Sequence, residues 1–218
     1  MGPVRGDELS HRLRLLVVTD RRLASPRAVV EVVRLALEGG CRAVQLRDKE
    51  SAARRLLSTA QELRSITREH GALLFVNDRV DVALAAEADG VHLGPTDLPV
   101  AAVRRWVGES LLVGYSTDDA EVARRAQDDG ADYLGCGAVF GTRTKDVGDE
   151  AIGTARLDAV ARAVSIPVVG IGGITPENVP AVAATAAAGA AVVGAVMAAR
   201  DPAVVTRRLL EPFRRRRH

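Results

Sequence analysis

Eight short, β-rich apolar runs alternate with helical stretches along this 218-residue chain. The alternation predicts strands over Leu15–Thr19, Ala43–Leu46, Leu73–Val76, Gly90–Leu93, Leu111–Gly114, Tyr133–Gly135, Val168–Ile171 and Ala191–Val193. Between them, Leu56, Leu57, Ala60, Leu63 and Ile66 recur at helical spacing. After the fifth run, Thr117 or Asp118 can cap a helix, Ala120, Ala123 and Ala126 face inward, and Gly130 closes it. Short, continuously apolar strands are covered on both faces, as in parallel sheets. Eight βα units in a chain of this length predict a single-domain (β/α)8 TIM barrel at the small end of its size range. A doubly wound open sheet is the competing arrangement. No linker or composition shift divides the chain. Residues 1–218 therefore read as one barrel domain with a short N-terminal extension and a basic C-terminal tail.

Aromatic residues make up only 3%, so Val, Leu, Ile and Ala must build the core. The net charge of +2 gives no general case for nucleic acid or an anionic membrane as partner. Cys41 and Cys136 lie far apart without partner spacing, which argues against a disulfide framework or zinc site and fits a reducing cytoplasm. The N-terminus lacks the long apolar region of a signal peptide. The uncharged run from Val179 to Ala199 has the length of a membrane span, but it is mostly Ala and Gly and contains Pro180 and Thr185. It reads better as a buried helix, a short strand and another helix. Arg214 to Arg217 read as a solvated tail rather than a nucleic-acid arm. The oligomeric state stays open, a homo-oligomer included.

In a parallel barrel all strands end on one face, where active sites form from the following loops. Polar residues cluster at these ends: Gln45, Arg47, Asp48 and Lys49 after the second strand, and Asn77-Asp78-Arg79 after the third. His92 and Asp97 follow at the fourth and Ser116 at the fifth. The sixth strand leads into a Gly/Thr-rich loop with Thr142, Arg143, Thr144 and Lys145, and the seventh into "GIGGIT". Asp78 read alone fits a helix N-cap as well as a ligand. Under the barrel reading, Asp78 and Asp97 sit on neighbouring loops and can face one point. Such a carboxylate pair suits Mg²⁺, which takes one or two carboxylates plus substrate phosphate oxygens. The cations Arg47, Lys49 and Lys145 would hold the rest of a polyphosphate. The sixth loop and the "GIGGIT" glycines offer a second anion site, with Pro176 at an early helix position directing free N–H groups there. No Ser-His-Asp order, histidine cluster or Walker P-loop is present. His92 fits a base or a structural role. Cys136 as nucleophile lacks an activating histidine nearby in sequence.

The set "QLRDK" (45–49), "NDRVDVALAAEADGVHLGPTDLP" (77–99), "GYS" (114–116), "GTRTK" (141–145) and "IGGITPEN" (171–178) closely resembles the thiamine-phosphate synthase family. The motifs occur in the family's order and span nearly the whole chain. The resemblance implies a barrel enzyme that joins 4-amino-2-methyl-5-hydroxymethylpyrimidine diphosphate to a thiazole phosphate, giving thiamine phosphate and diphosphate. In that family Mg²⁺ helps diphosphate leave, and the thiazole nitrogen attacks the pyrimidine carbocation. By motif, Gln45, Arg47, Lys49, Asn77, Ser116 and Lys145 would bind the pyrimidine diphosphate. The catalytic set would be Arg47, Lys49, Ser116 and Lys145. Asp78 and Asp97 would hold Mg²⁺. Thr142, Arg143 and Thr144 would contact the thiazole phosphate, with Gly173, Val193 and Gly194.

Two positions depart from the family pattern. Pro95 stands where Gln is usual, and Gly194 where Ser is frequent. A sister group, the thiazole tautomerases, resembles this pattern too. It drops parts of the diphosphate and metal set and uses a His in the sixth-strand loop, whereas this chain has Cys136 there and keeps both aspartates. A non-catalytic protein that binds thiazole or thiamine phosphate is a third reading.

Overall fold

A computed structural model describes residues 4–141 and 151–215 of the chain. Its strands are β1 Leu15–Val18, β2 Ala43–Leu46, β3 Leu73–Asn77, β4 Gly90–Leu93, β5 Leu112–Ser116, β6 Tyr133–Gly137, β7 Val168–Ile171 and β8 Gly189–Val192. They close in sequence order into a parallel barrel, with β8 pairing back onto β1 through Leu16 and Ala191. That closure excludes the open doubly wound sheet. The helices are α1 Gly6–Arg12, α2 Arg21–Ala24, α3 Val29–Glu38, α4 Ala53–Glu69, α5 Val80–Ala85, α6 Val100–Val107, α7 Ala120–Asp128, α8 Gly153–Arg162, α9 Val179–Ala183, α10 Gly194–Met197 and α11 Pro202–Arg214.

Two apolar layers follow from the two-residue period of a strand. Inward residues, among them Leu16, Val18, Ala43, Leu73, Phe75, Leu112, Tyr133, Val169 and Ala191, fill the barrel. Outward residues such as Val17, Val44, Leu74, Val91 and Val113 pack under the helices. In α4, Leu56, Ala60, Leu63 and Ile66 make the buried stripe, as their spacing predicts, and Leu57 lies at its edge. Leu9 of α1 and Leu13 just after it join the interior cluster. The N-terminal extension therefore stoppers the end of the barrel where strands begin. Two acids there are structural: Asp89 accepts from Leu74 N at 2.8 Å and Arg64 at 2.6 Å, and Asp132 accepts from Val113 N at 2.8 Å and Arg104 at 2.5 Å.

Several local expectations shift. β3 and β5 run on to the polar residues Asn77 and Ser116, because ladder hydrogen bonds do not require apolar side chains. The cap of α7 is Asp119, neither Thr117 nor Asp118; its carboxylate accepts from Glu121 N at 2.8 Å and Val122 N at 2.9 Å. The run from Val179 divides into α9, β8 and α10. Among the described residues, no helix is long and apolar enough to cross a membrane. Arg214 is the last residue of α11 rather than tail, and Arg215 pairs with Glu211 one turn back. The rest of the arginine run lies outside the described residues.

Candidate active site

The carboxyl ends of β2, β3, β4 and β5 bring most of the predicted residues together. Gln45 is an inward residue of β2 and is buried. The chain after it is pinned by Thr19, at the end of β1. Thr19 N donates to Gln45 O at 2.9 Å, and Thr19 Oγ1 accepts from Arg47 N at 2.9 Å. Arg47 thus leaves the barrel from a fixed backbone. Asp48 does not join the rim set. Its carboxylate accepts from Glu50 N, Ser51 N and Ser51 Oγ and shapes its own loop. Burial alone would raise its carboxyl, but these hydrogen bonds outweigh that and hold it below the usual value.

Lys49 reaches across from the β2 loop to Asp78, with Nζ 3.1 Å from Oδ2. Asp78 follows β3 and has φ +62°, the left-handed region that non-glycine residues rarely adopt. Two hydrogen bonds hold it there, Asp78 N to His92 O at 2.8 Å and Arg79 N to Asn77 O at 2.7 Å. Asp78 is not the cap of α5: Arg79 occupies that position. The aspartate is instead turned toward Asp97, whose carboxyl is near enough to raise its own. Asp97 closes a tight turn, its Oδ2 accepting from Gly94 N at 2.7 Å while its N donates to Gly94 O at 3.1 Å. Pro95 is the second residue of this turn, where a fixed φ suits the geometry. The departure at position 95 therefore stiffens the loop that carries Asp97.

Burial pushes the Asp78 carboxyl above its ordinary value. The neighbouring Asp97 pushes it further, and Lys49 only partly offsets both. Two carboxyls held together with too little positive charge form a site that a cation would relieve. Among the described residues no cluster of three or more His, Cys, Asp or Glu could hold a metal. A pair is nonetheless what Mg²⁺ needs when substrate phosphates complete its shell.

On the far side of the rim, the loops after β6 and β7 are joined by Phe140 N to Gly172 O at 3.0 Å. Gly173 has φ +62°, and a Cβ there would lie 2.5 Å from Gly141 O, so only glycine allows this approach. Gly173, Val193 and Gly194 are all half-buried at strand ends on this side. At Gly194 a Cβ would meet only Leu23 Cδ1, at 3.8 Å, so the serine frequent at this position would fit. Pro176 is not at an early helix position. It lies in a turn, and α9 starts at Val179 with Pro180 in its first turn. Thr142, Arg143, Thr144 and Lys145 lie outside the described residues.

His92 of β4 is buried inside the barrel. Its Nδ1 is 2.9 Å from the Tyr133 hydroxyl and its Nε2 is 2.8 Å from Ser116 Oγ. Cys136 faces the helix layer, not the barrel interior. Burial pushes its thiol up to about 12, with Asp118 adding to the effect and Arg156 opposing it. A thiolate nucleophile is excluded on both grounds. Cys136→Ala should leave kcat within about twofold of the parent, since no reacting group is removed. A fall beyond about a hundredfold in steady-state turnover would restore the nucleophile reading.

Thr19 and Tyr133 are contributors that sequence reasoning missed. Tyr133 carried a signal: in a chain with so few aromatics, it opens β6 on the inward phase.

The chain matches the family model described as thiamine monophosphate synthase over residues 15–196. It is 48% identical over 199 residues to the thiamine-phosphate synthase of Haloquadratum walsbyi, covering 90% of this chain and 89% of that protein. The thiamine-phosphate synthase of Moorella thermoacetica is 46% identical over 203 residues, covering 93% and 97%. The solved thiamine phosphate pyrophosphorylase of Pyrococcus furiosus superposes with a TM-score of 0.86 at 44% identity, covering 94% of this chain and 98% of that one.

Proposed function

Because the chain belongs to the thiamine monophosphate synthase family, we propose that its rim joins 4-amino-2-methyl-5-hydroxymethylpyrimidine diphosphate to 4-methyl-5-(2-phosphoethyl)thiazole. The enzyme is a transferase, and its products are thiamine phosphate and diphosphate. The bond from the pyrimidine methylene to oxygen breaks, and its electron pair leaves with diphosphate. The thiazole nitrogen then donates its lone pair to the methylene carbon. No covalent nucleophile is needed; the site has to position both substrates and stabilise charge.

The observation that carries this reading is the meeting of Lys49, Asp78 and Asp97 at the ends of β2, β3 and β4. Asp78 and Asp97 would hold Mg²⁺, which when bound would supply Lewis-acid charge beside the leaving diphosphate. Arg47, Lys49 and Lys145 would bind the diphosphate oxygens, and Gln45, Asn77 and Ser116 the remainder of that substrate. Thr142, Arg143 and Thr144, with backbone groups of Gly173, Val193 and Gly194, would take the thiazole phosphate. Two free, buried cysteines fit a cytoplasmic location.

A thermal measurement follows from the raised Asp78 carboxyl. A carboxyl raised in the folded state stabilises the fold below its unfolded value, and that stability is lost as pH rises through the folded value. At neutral pH the charged pair therefore opposes the fold, and a bound cation offsets the opposition. Millimolar Mg²⁺ should raise Tm more at about pH 8 than at about pH 4, near the ordinary carboxyl value, where protons compete for the raised Asp78 carboxyl. Equal shifts at both pH values would contradict a metal site at this pair.

The reaction itself is tested by mass spectrometry of the products formed from both substrates. Thiamine phosphate is the expected product. Diphosphate released equally well without the thiazole would mark a hydrolase and overturn the reading.

A further inference from the structure

Below the rim, hydrogen-bonding side chains of β6, β4 and β5 meet inside the barrel, with Gln45 of β2 beside them. The Gln45 amide opposes the upward push that burial gives the Tyr133 hydroxyl. That hydroxyl is 2.9 Å from His92 Nδ1, and His92 Nε2 is 2.8 Å from Ser116 Oγ. The Tyr133 and His92 rings are 5.4 Å apart between centroids and inclined at 41°. Tyr133 is fully buried and His92 is 8% exposed. Glycines make the room. A Cβ at Gly114 would fall 2.3 Å from the Tyr133 ring and 2.5 Å from His92 Nδ1. A Cβ at Gly135 would lie 3.3 Å from His92 Cε1. Ser116, at the end of this chain, and Gln45, beside its start, are both residues assigned above to the pyrimidine diphosphate.

We propose that Tyr133 and His92 are positioning residues, a relay that orients the Ser116 hydroxyl to donate toward the departing diphosphate. This rests on the reaction proposed above. The relay runs in the direction that leaves the Ser116 O–H available to substrate. Tyr133 has one O–H, and a neutral imidazole has one N–H. The Tyr133 O–H donates to His92 Nδ1. The His92 Nε2–H donates to Ser116 Oγ, which leaves the Ser116 O–H to point at the mouth. Burial holds Tyr133 in its phenol form, so its proton is always there to donate. A buried, satisfied chain of this kind also resists reorientation, because each broken link leaves a desolvated polar group.

Two measurements test the relay. The first is ¹⁵N NMR of the imidazole in the intact protein. The expected spectrum has Nδ1 unprotonated and Nε2 protonated, with this preference lost in Tyr133→Phe. An Nδ1–H tautomer in the parent protein would overturn the proposal. The second is a double-mutant cycle on kcat. Tyr133→Phe should lower kcat about tenfold, with KM for either substrate changed by less than about threefold. In a Ser116→Ala background most of that loss should vanish, because the relay no longer has a terminal donor to orient. Equal losses in both backgrounds would mark a purely structural tyrosine. If Tyr133→Phe folds poorly, His92→Gln serves instead: it keeps an amide N–H near Ser116 and should retain clearly more activity than His92→Ala. If it does not, the relay fails. Parent protein that made no thiamine phosphate would sink the reaction, while the imidazole tautomer would still decide the relay.

Discussion

Asp78→Asn should lower kcat by roughly a hundred- to a thousandfold and leave the barrel folded, because a charged group is lost from a preorganised site. Asparagine is the informative replacement. Asp78 sits at φ +62°, and Asn adopts that region at least as readily as Asp. The backbone bonds from Asp78 N to His92 O and from Arg79 N to Asn77 O can therefore persist. What changes is the charge facing Lys49 and Asp97. Removing a carboxylate from a crowded acidic pair relieves repulsion, so Tm in the absence of Mg²⁺ should be unchanged or higher. Alanine would add backbone strain to the chemical loss and blur the result. Circular dichroism establishes the fold and steady-state kinetics the loss. A folded variant with near-parental kcat would remove Asp78 from the machinery.

Gly114→Ala should destabilise the fold by about 3 kcal/mol or more, a large value for one methyl group. The added Cβ would be placed 2.3 Å from two carbons of the Tyr133 ring and 2.5 Å from His92 Nδ1. Neither neighbour can yield cheaply. Tyr133 also packs on Phe75, with ring centroids 5.0 Å apart, and both rings are fully buried. For a chain of this size the expected fall in Tm is about 6–12 °C. A Tm within about 2 °C of the parent would mean that the aromatic layer is far more plastic than its packing implies.

The barrel was legible because its cause is local. Runs such as Leu73 to Val76 and Val168 to Ile171 are apolar throughout, and they recur with helices between them. Element ends were less legible. Thr117, Asp118 and Asp119 are three adjacent residues able to cap, and only the path of the chain into α7 selects Asp119. Pro176 resembles a helix start, but Asn178 accepts from Thr175 N at 2.8 Å and holds a turn first, so α9 begins later. The carboxylate pair was legible from spacing once closure put β3 beside β4. The left-handed backbone at Asp78 was not, because it depends on β4 accepting its N–H. Thr19 was invisible for a related reason: it acts through a neighbour on another strand. Tyr133 showed only its inward phase, since its meeting with His92 depends on β4. Substrate identity came from family resemblance, since charge and spacing specify two anions and no more.

The most direct test of the account is a simultaneous assay of diphosphate and thiamine phosphate, run with both substrates in Mg²⁺ and again in EDTA. The account predicts equimolar appearance of the two products with Mg²⁺ and loss of both with EDTA. Equimolar turnover undiminished by EDTA would contradict the metal role assigned to Asp78 and Asp97. Absence of thiamine phosphate under both conditions would contradict the reaction itself.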